Sequence, residues 1–265
     1  MRKETVSPSI HKFTFEAADI ASGASPGQFI QARSSDHCLP LWPRPFSIHD
    51  VDPARGLVTI MFRVYGSGTA QMATRSAGDL IHLFGPLGNS FPLPDGGREI
   101  IMAAGGVGLP PLYFLSKVAA NLGASPEKIL FIAGARTKLE LLNEPGLFDL
   151  GLKPIICTDD GTAGRKGTVV ETLRDLLSQR SSAIIYSCGP NAMLRAVDFL
   201  LLERGFSGFL SLEALMPCGY GICSGCAVKV SPPPERGPTD DKRDYHLKRV
   251  CIEGPVFRTG EVMWD

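Results

Sequence analysis

The sequence lacks a net charge, a long apolar run and any evident pairing of residues for nucleophilic or acid–base catalysis. Lysine plus arginine equals aspartate plus glutamate at 27 each, so no excess field draws the chain to nucleic acid or to an anionic membrane. No apolar stretch approaches the ~18 residues that a membrane-spanning helix needs. The opening residues, Met1-Arg2-Lys3-Glu4-Thr5-Val6-Ser7-Pro8, carry no apolar segment of the kind that starts a secretory signal, so a cytoplasmic protein is expected. The five histidines, His11, His37, His49, His82 and His246, show no metal-ligand spacing, and none is assigned a catalytic role. Glycine and proline are plentiful, but they fall between apolar segments, which marks turns rather than disorder.

What the sequence does have is concentrated near its end. Cys218, Cys223, Cys226 and Cys251 are spaced C-x4-C-x2-C with one distant fourth cysteine, the spacing of a plant-type [2Fe–2S] cluster held by four thiolates. Three thiolates on one short loop require sharp turns. Gly219, Gly221 and Gly225 are expected to supply them through positive φ and close backbone approach. They also leave backbone N–H groups free to hydrogen-bond cluster sulfurs. Structural zinc remains an alternative, although its ligands usually come as two close pairs. A redox pair at Cys223 and Cys226 would open a helix, whereas Ala227-Val228-Lys229-Val230 alternates like a strand. Disulfides fit poorly with seven cysteines, an odd number. Cys38, in an expected loop, and Cys157, in an expected strand, read as inert packing residues.

Three successive pieces are expected: 1–94, 95–207 and 208–265. In the first, β-branched and aromatic runs at 11–16, 28–33, 46–51, 57–65 and 79–84 alternate with turn signals and no helix, which points to a small closed antiparallel β-barrel. In the second, apolar strands at 99–104, 129–133, 154–158 and 183–187 alternate with helical patterns at 112–122, 169–177 and 193–202. That order builds an α/β unit, a parallel sheet covered by helices, with ligands at the carboxyl ends of its strands. Gly105-Gly106-Val107-Gly108 ends the first of these strands. It departs from G-x-G-x-x-G because Pro111 stands where the third glycine should be. A glycine turn at a helix N-terminus remains, with Pro110 and Pro111 near its first position, and it could offer N–H groups to a phosphate or be an ordinary turn. The third piece holds the cysteine loop, a strand, Ser231-Pro232-Pro233-Pro234 and a charged stretch. It is too short for much of a core, and a cluster would staple it.

Arg44-Pro45-Phe46-Ser47, then Arg63 with Gly66, Gly68 and Thr69, then the glycine turn, then Cys188-Gly189-Pro190 before Met193, follow one another in this order. Together they resemble the ferredoxin–NADP⁺ reductase superfamily, a flavin-binding β-barrel followed by a pyridine-nucleotide domain. Met216-Pro217-Cys218-Gly219-Tyr220-Gly221-Ile222-Cys223-Ser224-Gly225-Cys226, with Cys251-Ile252-Glu253-Gly254-Pro255-Val256-Phe257, resembles the electron-transfer subunits of the class 1B dihydroorotate dehydrogenases. The resemblance implies FAD, a [2Fe–2S] cluster and NAD. Arg44, Pro45, Phe46 and Ser47 would line the flavin site, with Arg44 at the pyrophosphate and Ser47 near the isoalloxazine. Met61, Phe62 and Arg63 would pass beside the flavin, and Gly68 and Thr69 would give donors to phosphate. Gly105, Gly106 and Gly108, with Cys188, Gly189 and Pro190, would border the nicotinamide. It further implies an FMN-containing catalytic subunit as partner, in a heterotetramer of two chains of each kind, with electrons running from dihydroorotate through that FMN, the cluster and FAD to NAD⁺. A relay chain of another NAD(P)H-linked reductase, of ferredoxin, sulfide or sulfite type, shares the same motifs, and a zinc-holding binding module is the non-enzymatic rival. Arg136, Lys138, Arg165 and Lys166 follow expected strands, where they could meet a 2′-phosphate or be solvated surface charges.

Overall fold

The structure, a computed structural model, describes residues 1–33, 42–94, 97–232 and 245–264. His37, Cys38, Pro233 and Pro234 lie outside the described residues.

The first unit is a six-stranded antiparallel sheet in the order β1-β2-β5-β4-β3-β6. Its strands are β1 (Arg2–Ser7), β2 (Ile10–Glu16), β3 (Phe29–Arg33), β4 (Arg44–Asp52), β5 (Leu57–Arg63) and β6 (His82–Leu87). Along β2 the period of two sends Phe13 and Phe15 inward, and they meet Ile30, Ile48, Val58 and Ile60 in one core. No ladder joins β1 to β6 among the described residues. Instead the ends are drawn together where Gly78 N–H donates to the Met1 carbonyl (3.1 Å) and Lys3 Nζ to that of Ala73 (2.5 Å). Three features depart from expectation. β1 has no apolar alternation to reveal it, being a charged, exposed edge strand. Helices α1 (Ala18–Gly23) and α2 (Ser67–Ala73) are too short to show a helical period. β6 starts later than expected and runs on through Gly85 and Pro86, past the expected end at 84; an edge strand tolerates that proline.

The second unit is a seven-stranded sheet in the order β10-β9-β8-β7-β11-β12-β15. It comprises β7 (Ile100–Gly105), β8 (Ile129–Ala135), β9 (Ile155–Thr158), β10 (Arg165–Lys166), β11 (Ile184–Cys188) and β12 (Ser207–Ser211), all parallel, plus antiparallel β15 (Val256–Arg258). The connecting helices are α3 (Leu109–Asn121), the single turn α4 (Gly146–Asp149), α5 (Val169–Ser178) and α6 (Asn191–Arg204). β7 is buried on both faces, as a central parallel strand should be. Ile100, Met102 and Ala104 pack with Leu112 and Leu115 of α3. Ile101 and Ala103 face Leu173 of α5 and Leu194 and Val197 of α6.

The sheet does not stop at the expected boundary between 207 and 208, because β12 and β15 extend it. The remainder of the third piece is a two-stranded ladder of β13 (Ala227–Val230) and β14 (His246–Arg249). Cys226, Val250, Cys251 and Phe257 share the core on the α5/α6 face, so this piece borrows a core rather than building one. Barrel and sheet are locked by a buried polar hub. Glu144 accepts from Lys12 of β2 (2.8 Å) and His49 of β4 (3.1 Å), Tyr113 of α3 stacks on His49, and Lys117 pairs with Asp50 (2.7 Å).

Candidate functional site

A cavity of ≈ 1020 Å³ lies between the barrel and the carboxyl ends of the parallel strands, at the top of the about 300–1,000 Å³ usual for small-molecule sites. Eleven of the fifteen residues expected at the cofactor sites line it: Pro45, Phe46, Ser47, Met61, Phe62, Arg63, Thr69, Gly105, Gly106, Cys188 and Pro190. β4 and β5 are neighbours in the sheet, which explains why two sequence motifs form one wall.

The other four shape the wall from behind. Arg44 donates to the carbonyls of Trp42 (2.7 Å) and Pro43 (3.2 Å), and its guanidinium lies against Gly68, where a Cβ would stand 2.7 Å from Nε. Gly108 and Gly189 let two backbone turns interlock. A Cβ on Gly108 would overlap the Cys188 carbonyl group, and one on Gly189 would stand 3.1 Å from Gly105 Cα. The Gly106-Val107-Gly108 turn is one turn of 3₁₀ helix leading into α3, with Pro110 in the first turn of that helix. The Thr69 hydroxyl is engaged locally: it accepts from Tyr65 N–H (2.8 Å) and donates to the Gly66 carbonyl (3.0 Å).

Sequence reasoning missed part of the wall. Phe29, Met216 and Glu140 line the cavity too, together with Arg136. Glu140 accepts from Arg136 (2.9 and 2.6 Å) and from Arg63 across the cleft (3.1 Å). Those hydrogen bonds, Arg136 first, hold its carboxyl down to about 2. Cys188 is buried, which pushes its thiol up to about 12, so it packs rather than ionises. Arg165 and Lys166 line a separate hollow of ≈ 510 Å³ beside Asp159, where Arg165 already pairs with Asp175.

The cysteine loop sits against this cavity through Met216. All six described cysteines are free; Cys218, Cys226 and Cys251 are buried, and Cys223 is exposed. Cys226 and Cys251 Sγ are 3.4 Å apart. Burial would raise the Cys218 thiol, but hydrogen bonds from the backbone of Cys223 and Tyr220, from the Cys223 side chain and from the backbone of Ile222 bring it down to about 6. Burial and the neighbouring Cys226 push Cys251 up to about 12. Metal binding would have to displace that proton. Gly225 N–H donates to Cys223 Sγ (3.4 Å). The turn chemistry differs from expectation at one position. Gly219 (φ 80°) and Gly221 (φ 83°) have positive φ as anticipated, but the third such residue is Ser224 (φ 54°) and not Gly225. Ser224 thus carries the left-handed turn that leaves the Gly225 N–H aimed at sulfur. Arg249 closes the far side, donating to the Gly221 carbonyl (2.8 Å) and pairing with Glu253 (2.6 Å). Among the described residues the thiols do not converge on one single-ion position. Four thiols with backbone N–H donors among them fit a cluster, and an apolar cleft with glycine turns and arginines fits a dinucleotide.

Comparisons with known proteins bear on both parts of the site. Residues 213–263 match the model of the family described as the iron-sulfur cluster binding domain of dihydroorotate dehydrogenase B. A Desulforamulus reducens protein named dihydroorotate dehydrogenase B (NAD(+)), electron transfer subunit, is 38% identical over 260 residues, covering 98% of this chain and 95% of that one. A Bacillus cereus (strain B4264) protein of the same name is 33% identical, covering 99% and 96%. Among solved structures, an NADH-dependent reduced ferredoxin-NADP oxidoreductase superposes with a TM-score of 0.84 at 28% identity, over 100% of this chain and 88% of that one. A ferredoxin reductase of carbazole 1,9a-dioxygenase shares the fold, with a TM-score of 0.66 at 21% identity over 78% of this chain and 64% of its own.

Proposed function

The chain belongs to the family of dihydroorotate dehydrogenase B electron transfer subunits, and from that premise we propose that it passes to NAD⁺ the electrons taken from dihydroorotate in a separate, FMN-containing catalytic subunit. The observation that carries this reading is the joining of a four-thiol loop to a dinucleotide-sized cleft through one shared residue, Met216. When bound, FAD and a [2Fe–2S] cluster supply the redox chemistry, because a flavin exchanges hydride with nicotinamide and single electrons with a cluster.

The protein's own residues bind, orient and exclude water. Phe46, Phe62 and Met61 give the cleft an apolar wall, and Ser47 adds a hydroxyl beside Phe46. Arg44 is the cation for the flavin pyrophosphate, Arg63 passes beside the flavin with Met61 and Phe62, and the Gly68 gap lets the Arg44 guanidinium lie against α2. Gly105, Gly106 and Gly108, with Cys188, Gly189 and Pro190, form the border for nicotinamide. Cys218, Cys223, Cys226 and Cys251 are the cluster ligands. Leu215, Tyr220 and Ile222 of the cysteine segment, with Phe84 of β6 against Tyr220, form an exposed apolar collar, and a patch of that kind beside a redox group suits a partner subunit. Two relay and two catalytic chains in the cytoplasm complete the proposal. Among the described residues no helix is long and apolar enough to cross a membrane.

A second reading has its own support in the TM-score of 0.84 to the NADH-dependent reduced ferredoxin-NADP oxidoreductase. One experiment separates them: dihydroorotate-dependent NAD⁺ reduction by this chain with its co-purified partner, against the partner alone. The expected result is activity that requires this chain and is lost in Cys223→Ser together with iron and labile sulfide. A chain loaded with flavin and cluster that gives no such activity, yet reduces ferredoxin from NAD(P)H, would move it to the second reading.

A further inference from the structure

β3 is shared between two cores. Ile30 and Ala32 point into the barrel, while Phe29, on the opposite face, packs with Cys226, Val250 and Cys251. A period of two puts Gln31 on the same face as Phe29. An amide there is unexpected, because that side chain is only 2% exposed. Its Nε2 donates to the Met216 carbonyl (3.0 Å), two residues before Cys218. The amide also lies flat on Gly219, where a Cβ would stand 2.5 Å from Nε2. Among the described residues its Oε1 has no partner, a desolvation cost that an apolar residue would avoid. On the sheet, Gln31 stands between Pro45 of the cleft wall and Phe84, and the Phe84 ring meets Tyr220 of the cysteine loop edge-on at 5.8 Å.

We propose that Gln31 is a positioning residue for electron transfer: it fixes the Met216–Cys218 arm of the cluster loop against the flavin face of the barrel, and so sets the coupling between the two redox groups. This deepens the relay reading and rests on it. The two contacts of Gln31 fall on the one segment that lines the cleft at Met216 and supplies a cluster ligand at Cys218. A residue serving stability alone would gain from being apolar here, since it would leave no orphaned oxygen.

The test uses Gln31→Leu, which fills the space without the hydrogen bond, and Gln31→Asn, which keeps the amide but falls a methylene short. Both are studied in the full chain with its catalytic partner. Iron, sulfide and FAD content should match the parent, while the EPR g-values of the reduced cluster shift. Flavin reduction driven by dihydroorotate through the partner should slow about tenfold, as small misplacements do, with flavin reduction by NADH unchanged. A fully loaded variant with the parent EPR spectrum and parent rates would overturn the proposal. Equal slowing of both half-reactions would also overturn it, leaving a fold clamp only. If the parent itself passes no electrons from dihydroorotate, the relay reading fails, and the EPR comparison still decides the role of Gln31.

Discussion

The cysteine site takes three of its four thiols from Cys218, Cys223 and Cys226, close together in the chain, whereas the cleft draws its wall from segments scattered between Ile10 and Pro255. In the loop, local turns at Gly219, Gly221 and Ser224 do most of the shaping. In the cleft, shape comes from tertiary packing: Gly108 against Cys188, Gly189 against Gly105, and Glu140 between Arg63 and Arg136. A local site tolerates change wherever its turns survive. A site assembled from distant strands depends on backbone fit.

The sharpest test of that difference pairs two glycine-to-alanine changes. In Gly108→Ala the new methyl would overlap the Cys188 carbonyl and sit 2.6 Å from the Gly189 nitrogen, with backbone on every near side. Stability should fall by about 3 kcal/mol, the upper range for forced overpacking, and flavin occupancy should fall with it. In Gly225→Ala the nearest atoms are Pro217 Cδ at 3.3 Å and Cys223 Sγ at 3.5 Å, and φ is not positive. The loss there should stay within about 0.5 kcal/mol, with iron content retained. Urea titration and iron analysis read both. Equal losses would erase the distinction between the two sites.

The same difference explains what could be read from the sequence. The four candidate cysteines stood out in the sequence because three of them share one short segment at a fixed spacing. The strands and helices around the parallel sheet were legible from period, since β7, β8 and β11 are buried apolar runs. β1 was not, because its charged residues face solvent at a sheet edge. The joining of Phe29, Met216 and Glu140 to the cleft was hidden, as no local pattern says which distant segments meet. Gln31 left a faint signal, a polar residue in phase with Phe29 along a strand. The hub around Glu144 left none, because its members come from two strands, a helix and a loop.

That hub offers a second test, through pH. Burial lowers the pKa of His49 despite the opposing pull of Glu144. The unfolded chain therefore takes up this proton more readily, and stability drops as pH falls below the ordinary imidazole value of 6.5. Burial works against ionisation of Glu144, but His49 and Lys12 outweigh it and hold the carboxyl down to about 2 from 4.5. Its contribution is present above 4.5 and is lost as pH falls toward 2. Both signs agree, so acid should part barrel from sheet before either melts. Glu144→Gln leaves the Lys12 ammonium without its anion and should cost about 3 kcal/mol at neutral pH. It should also flatten the dependence between pH 4.5 and about 2. Denaturant midpoints across that range check it; an unaltered slope would place the acid sensitivity elsewhere.

The smallest expected effect lies at the cleft rim and asks whether its charges position or merely balance. Glu140 is a carboxylate at any pH well above its value of about 2, and it holds two arginines that both line the cavity. Glu140→Gln keeps an oxygen for one of them and removes the negative charge. If the carboxylate competes with the phosphates of a dinucleotide, the neutral amide should tighten NADH binding about threefold at low salt, the scale of one exposed ion pair. The gain should shrink as salt screens the arginines. Stability should hardly move, because the Glu140 pairs are partly exposed and the Glu144 hub, not this pair, carries the buried contacts between barrel and sheet. Weaker binding would mean the opposite role: the carboxylate aims Arg63 and Arg136, and the cleft depends on side-chain placement at its rim as much as on backbone fit at its floor.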